Sequence, residues 1–286
     1  RSWASFTRTG RRTFAMAEKE AKKLSLWSAN ARGWHVDAFW MFLSLVIVLV
    51  LWEALVAVFG FPAHLLPRPL AVVYSVIDHW GTIVENAGDT TVAVMLGYVL
   101  AVVFAVPIAI LIVISPQVER LLYPPLVATQ SIPKIALAPL FIVWFGFGLE
   151  TKVAVTFLIC FFPIVVDTIV GLRSIDPSLI QLARSMGAPS SRVFLKLRLP
   201  GALPSMFGGL KVASALAVVG ALTGEYIASD SGLGYILLSA SGEMNTALLF
   251  GVLIVLSVLA MIFFYAIELL EKLLIPWHVS QRSHAQ

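Results

Sequence analysis

Six apolar windows of about twenty residues, each long enough to cross a hydrocarbon core, divide the chain. They cover 39–59, 92–114, 122–145, 151–170, 207–228 and 247–270. The first is too long for the core of a cleaved signal, and no small-residue cleavage site follows it, so it is expected to remain as a span. Residues 70–86 follow another rhythm: Val72, Val73, Val76, Ile77, Trp80, Ile83 and Val84 recur at helical spacing. That spacing predicts an amphipathic helix lying on an interface or against neighbouring spans. The pattern as a whole predicts an all-α membrane protein with six transmembrane helices in a domain covering 39–272.

Composition agrees. The 286 residues are 59% hydrophobic and 13% charged, and a mean hydropathy of +0.91 is far above that of a soluble domain. Charge then orients the spans. The arm 1–38 carries Arg1, Arg8, Arg11, Arg12, Lys19, Lys22, Lys23 and Arg32, and the loop 171–206 adds Arg173, Arg184, Arg192, Lys196 and Arg198. The opposite connections hold Arg68 against Asp78, Glu85, Asp89, Glu150, Asp230 and Glu243. By the positive-inside rule the arm, the loop and the tail 273–286 are cytoplasmic. The same segregation explains the net charge of +4 as a membrane-surface property, with no nucleic-acid partner implied. Cys160 is a single cysteine in an apolar run, which excludes an internal disulfide or cysteine metal site and suits a small buried hydrophobe.

The loop has local structure. Asp176 suits a helix cap, Pro177 its first position, and Gly187 the left-handed residue that ends it. Pro189 blocks continuation, Ser190 or Ser191 can cap a second helix, and that helix is expected to stop before Pro200. The first helix presents Ala183, Met186 and Ala188 with Leu182 near the turn. Such a helix fits a groove in another protein or packs beneath its own bundle, and local reasoning leaves both open.

Laid along the chain, this loop resembles the EAA motif of bacterial ABC importer permeases. The family pattern is Glu-Ala-Ala, three residues, Gly, nine residues, an aliphatic, any residue, Leu-Pro. Here it reads Gln181-Leu182-Ala183, Gly187, then Leu197-Arg198-Leu199-Pro200. Gln181 and Leu182 depart from the usual Glu and Ala, which removes any salt bridge that the Glu would make. "SIPKIALAPLFIVWFGFG" (131–148), "SGLGYI" (231–236) and "PWH" (276–278) resemble the nitrate/sulfonate/taurine/bicarbonate branch. The resemblance implies a type I importer permease fold in a bacterial cytoplasmic membrane. It also implies a second copy of the chain, two ATP-binding cassette subunits carrying ATP and magnesium, and an extracytoplasmic solute-binding protein. Docking of the ATPase would fall to Gln181, Leu182, Ala183, Arg184, Ser185, Met186, Gly187, Ala188 and Pro200. The chain itself would bind no cofactor, and no G-x-x-x-x-G-K-[ST] loop or H-E-x-x-H site is present.

Polar residues within the spans are the remaining candidates, since each ionisable group there costs about 2.5–3.5 kcal/mol at mid-membrane. Thr129, Gln130, Ser131 and Lys134 lie where Pro133 and Pro139 interrupt a helix, a place for a translocation pathway or a packed kink. Glu225 and Tyr226, near the outer end of the fifth span, are candidates for the pathway or for an interfacial position. Ala213, Ala217, Gly220 and Gly224 form a small-residue face expected at or near the subunit interface. Lys211 is expected to snorkel, and Glu53 and Asp167 to pair or hydrogen-bond within the bundle. The alternative function is an ion-gradient-driven secondary transporter, which needs paired midplane charges and repeated halves. The resemblance to the nitrate/sulfonate/taurine/bicarbonate branch implies as substrate a small anion such as a sulfonate, nitrate or bicarbonate, and the fifth span's resemblance to vitamin permeases implies a heterocyclic vitamin or precursor; both stay open.

Overall fold

A computed structural model describes residues 39–40 and 42–276. The basic arm 1–38, and the tail from Trp277, lie outside the described residues. The chain divides into two compact units near Phe61. In the first, helix α1 covers Phe42–Phe59. It ends at Gly60, whose φ of +62° is open to glycine at no steric cost and whose N–H reaches Val56 O at 3.1 Å.

Every regular element among the described residues of the second unit is helical. Its elements are α2 (Pro69–Asp78), α3 (Trp80–Ile114), α4 (Pro116–Gln130), α5 (Ala138–Phe145), α6 (Leu149–Arg173), α7 (Pro177–Ser185), α8 (Ser190–Val193), α9 (Leu199–Ala228), α10 (Leu233–Gly242) and α11 (Thr246–Leu274). Among the described residues five helices are long and apolar enough to cross a membrane, and the bent α4/α5 pair makes six if counted as one span.

Three features depart from the sequence expectation. The amphipathic segment 70–86 is two helices, broken at His79, whose ring nitrogen lies 2.9 Å from Ser75 O and competes for that carbonyl. The second of them is the start of α3, whose 35 residues extend well beyond the expected 92–114. At 1.5 Å per residue α3 is about 52 Å long, so its polar first turns, with Asn86, reach past an apolar core. The window 122–145 turns through 95° across a break at residues 131–133. Pro133 disfavours helical geometry at Ile132, and a 3₁₀ turn (Lys134–Leu137) restarts the chain.

Helices α6 and α9 form the centre of the unit and run antiparallel. A Cβ on Gly224 would sit 2.8 Å from Lys152 Cα, and one on Gly220 would sit 2.7 Å from Thr156 Cα. Further along, a Cβ on Gly209 would meet Asp167 Cβ at 2.6 Å, and one on Gly171 would meet Ala202 O at 2.8 Å. Lipid tails are as apolar as the side chains, so association comes from dispersion and polar contacts, both of which need close backbones. α3 joins the seam through Gly97, which abuts Thr156, and through Tyr98, which donates to Leu210 O at 3.0 Å. Ala93, Ala101, Ala105 and Ala109 continue its buried face.

The seam shows what this small-residue face packs against. Ala213, Ala217, Gly220 and Gly224 are buried inside a single chain, and the two glycines abut α6, so these side chains are not themselves the surface offered to a second copy. Cys160 lies in the same seam, its thiol 3.3 Å from Ala213 O.

Gly220→Ala should lower stability by about 1–3 kcal/mol, because its Cβ meets backbone that cannot rotate away. Gly208→Ala, which meets nothing within 4 Å, should be neutral or stabilising. Thermal unfolding of both variants in detergent compares the two positions.

Candidate functional site

The segment between α6 and α9 is built from local chemistry outward. Asp176 caps α7, accepting from Ser178 N at 2.8 Å and from the Ser178 hydroxyl. Those bonds favour the ionised form and hold its carboxyl below the usual carboxylate range. At the other end Ala188 N–H bonds Ala183 O at 3.1 Å and Gly187 N–H bonds Arg184 O at 2.9 Å. This is the Schellman arrangement, and Gly187 supplies its left-handed residue with φ of +78°.

Which face α7 presents follows from that geometry. Ala183 and Ala188 are half-buried, while Leu179, Leu182 and Met186 stand exposed, Met186 at 79%. Gln181, Arg184, Ser185 and Gly187 are exposed beside them. The outward ridge is thus larger and more apolar than the Ala183–Met186–Ala188 face expected from sequence.

The return leg is continuous with the bundle. Pro189, not Ser190 or Ser191, is the cap residue of α8, and the chain does not stop before Pro200. A π-helical turn over Phe194–Arg198 carries it on, with Leu199 N–H bonding Phe194 O five residues back. The wider turn accommodates Pro200, which lacks an N–H and would crowd a carbonyl in regular α-geometry. Val193 is buried, and Phe194 packs on the cluster of Leu172, Ala202 and Met206. Arg173, at the end of α6, pairs with Glu119 of α4 at 2.8 Å.

The polar residues at the α4/α5 break are uncovered in one chain. Thr129, Gln130 and Ser131 are exposed, and α4 has no buried residue. Lys134 is half-buried with its ammonium 5.6 Å from the Phe162 ring centroid.

Glu225 is elsewhere. It is fully buried within the chain, while its neighbour Tyr226 is exposed. Its Oε2 accepts from Thr90 Oγ1 at 3.0 Å and from Gly234 N at 2.8 Å, and Oε1 lies 4.0 Å from Lys152 Nζ. Lys152, itself buried, donates to Ser231 O at 3.0 Å and Ser231 Oγ at 3.3 Å. Leu233 N–H bonds Thr90 Oγ1 at 2.9 Å, and Gly232 N–H bonds Asn86 Oδ1 at 2.6 Å. Sequence reasoning placed Glu225 near the outer end of its span, in the pathway or at the interface, and overlooked Lys152, Thr90, Asn86 and Ser231. The available signal was Lys152 itself, a cation inside an apolar window near the end of its span.

Lys211 has an ion-pair partner that the sequence did not suggest: its ammonium is 2.7 Å from Glu271 Oε2 on α11. Asp167 lies against the bare backbone of Gly209, with no hydrogen-bonding partner for its carboxylate among the described residues.

Comparison with known proteins decides the family. Residues 93–277 match the binding-protein-dependent transport system inner membrane component. The chain belongs to that family. It is 38% identical over 240 residues to the formylaminopyrimidine transport permease protein ThiX of Halalkalibacterium halodurans, covering 84% of this chain and 96% of that one. It is 36% identical over 240 residues to the riboflavin transport system permease protein RibX of Chloroflexus aurantiacus (83% and 89% covered). Identity is 27% over 242 residues to the taurine transport system permease protein TauC of Escherichia coli (82% and 88% covered). In fold it matches a chain of the inward-facing MetNI methionine ABC transporter, with a TM-score of 0.61 at 20% identity over 68% of this chain and 97% of that one.

This permease is therefore a multi-pass inner-membrane component, the membrane-spanning subunit of a binding-protein-dependent importer. Its type I importer fold is the one expected from the EAA-like loop. The gradient-driven alternative falls with the family assignment.

The two ion pairs near the loop end should differ in worth. Lys211→Met leaves Glu271, which is largely buried, unpaired and should cost about 1–3 kcal/mol. Arg173→Ala removes an exposed pair and should stay within about 1 kcal/mol. Melting curves of the two variants in one detergent check the order.

Proposed function

We propose that α7 is the docking element for a separate ATP-binding cassette subunit on the cytoplasmic side, and that two copies of the permease form one pathway. The observation that carries this reading is the exposed Leu179–Leu182–Met186 ridge on a helix capped at both ends, joined without slack to α9. A stiff element passes an imposed displacement on, whereas a flexible loop absorbs it. The charge pattern supports placing this loop and both termini in the cytoplasm. ATP and magnesium belong to the partner, and a solute-binding protein delivers the cargo from the other side. The uncovered α4/α5 elbow, with Thr129, Gln130, Ser131 and Lys134, lines the pathway between copies.

For cargo we propose a heterocyclic vitamin or vitamin precursor, because the formylaminopyrimidine and riboflavin permeases share more identity with this chain than the taurine permease does. Uptake of labelled formylaminopyrimidine and riboflavin, against taurine, by cells carrying the whole transporter tests this. Uptake of taurine alone would refute it.

Docking has its own test. Leu182→Asp and Met186→Asp add charge to exposed side chains, so the permease should fold and insert at normal yield. Association with the ATPase, read by co-purification in mild detergent, should weaken at least tenfold. Undiminished co-purification in both variants would remove α7 as the docking element.

A further inference from the structure

We propose that Glu225 and Lys152 are positioning residues for transport, holding α10 and the 229–232 loop in register with α9 so that movement begun at the segment between α6 and α9 reaches the opposite end of the bundle. The proposal rests on the chain being a permease and needs no particular cargo; the positioning of α10 is independent of α7 docking, and its use in transmission rests on that docking.

The geometry is unusual in where α10 finds its cap. Its first N–H groups normally bond a nearby Ser, Thr, Asp or Asn. Here the cap residue is Gly232, which has no side chain, and the N–H groups of Gly232, Leu233 and Gly234 bond Asn86, Thr90 and Glu225. Two of these caps sit on α3 and one on α9, so α10 is fixed by the bundle and not by its own sequence. Gly232 and Gly234 are required because a Cβ on either would fall 2.3 Å or 2.7 Å from Glu225 atoms. The "SGLG" stretch is the mould of a carboxylate.

Lys152 completes the node without closing it. Two of its three N–H donors bond Ser231, and Glu225 Oε1, 4.0 Å away, accepts no hydrogen bond among the described residues. The ammonium therefore faces the two Ser231 oxygens and the carboxylate, and small displacements change which it holds. Asp89, exposed one position before Thr90, adds negative potential from α3. α9 links this node to the other end, running unbroken for 30 residues from the π turn at Phe194–Arg198.

Breaking one partner of a buried pair leaves an uncompensated charge, while removing both is tolerated. The test uses a Cys160→Ala background with Leu237→Cys, a buried position on α10, as reporter. Maleimide labelling of the purified permease should be slow in the parent, at least tenfold faster with Glu225→Gln or Lys152→Met, and back within threefold of the parent in the double variant. Additive effects, or unchanged labelling in the single variants, would overturn the proposal. If the single variants do not insert, Asn86→Ala carries the test, since it removes one uncharged cap: faster labelling supports the proposal and unchanged labelling overturns it.

The transmission claim is read separately in the complex with its ATPase, using exposed Leu238→Cys. Vanadate trapping with ATP should change its labelling rate in the parent and leave it unchanged with Glu225→Gln, while the ATPase still co-purifies and basal hydrolysis stays within twofold. No change on trapping in the parent, or an equal change in the variant, overturns it. Loss of the ATPase from the parent would count against α7 docking, and the labelling cycle on the permease would still decide the positioning role.

Discussion

Backbone contact between α6 and α9 is the constraint on which the rest of the permease depends. In lipid no hydrophobic force pushes two apolar helices together, so their association rests on dispersion at short range. Gly171, Gly209, Gly220 and Gly224 remove the atoms that would hold the helices apart. Once locked, the two helices fix the ends of the 174–198 segment. The segment then has no freedom to drift as a tether, and its caps at Asp176 and Gly187 stiffen what remains. Small residues in the membrane thus determine the mechanics of a loop outside it.

The same closeness creates the polar node. With α3, α6 and α9 packed on small residues, a carboxylate at Glu225 has no route to water and has to be satisfied internally. Burying such an ion alone costs several kcal/mol, more than a single hydrogen bond returns. Thr90, the Gly234 N–H and the ammonium of Lys152 share that demand. The compensation uses one backbone donor at the start of α10, the Gly234 N–H, where the helix dipole also favours negative charge. One interaction therefore solves two problems, an expensive anion and an uncapped helix.

How much of this was legible in the sequence depends on the range of the interaction. Asp176, Pro177 and Gly187 act on neighbours within a few residues, and their roles in α7 read directly from the chain. The apolar windows located the long helices because bilayer thickness sets the length of apolar run to look for, but they gave neither the extension of α3 beyond 92–114 nor the break inside 122–145. The face of Ala213, Ala217, Gly220 and Gly224 was legible as a packing face, but nothing local says whether the helix against it comes from the same chain. Glu225 read as a pathway or interfacial residue because its closing partners come from residues 86–90, 152 and 231–234, distant in sequence. Lys152 was hidden by its apolar surroundings, which lower the contrast of one charge in a window average. Pro200 misled for a different reason: a π turn before it removes the steric conflict that a regular helix would suffer.

That π turn bears on how displacement divides along α9. Residues 194–198 are the least regular part of a helical path that otherwise runs from Leu199 to Ala228. Past it, α9 is clamped twice, by Lys211 to Glu271 on α11 and by Glu225 to the α3–α6–α10 node. With docking at α7 as proposed, a load there would meet the π turn first and the two clamps beyond it. Bending would then be confined to the base of the helix, and what passes the first clamp would be rigid movement of α9 as a whole. Rigid movement is what a node at the far end can use, because a carboxylate capped at 2.8–3.0 Å responds to shifts well under one turn of helix. On the proposed docking, the arrangement places softness where force would enter and stiffness where position would have to be kept.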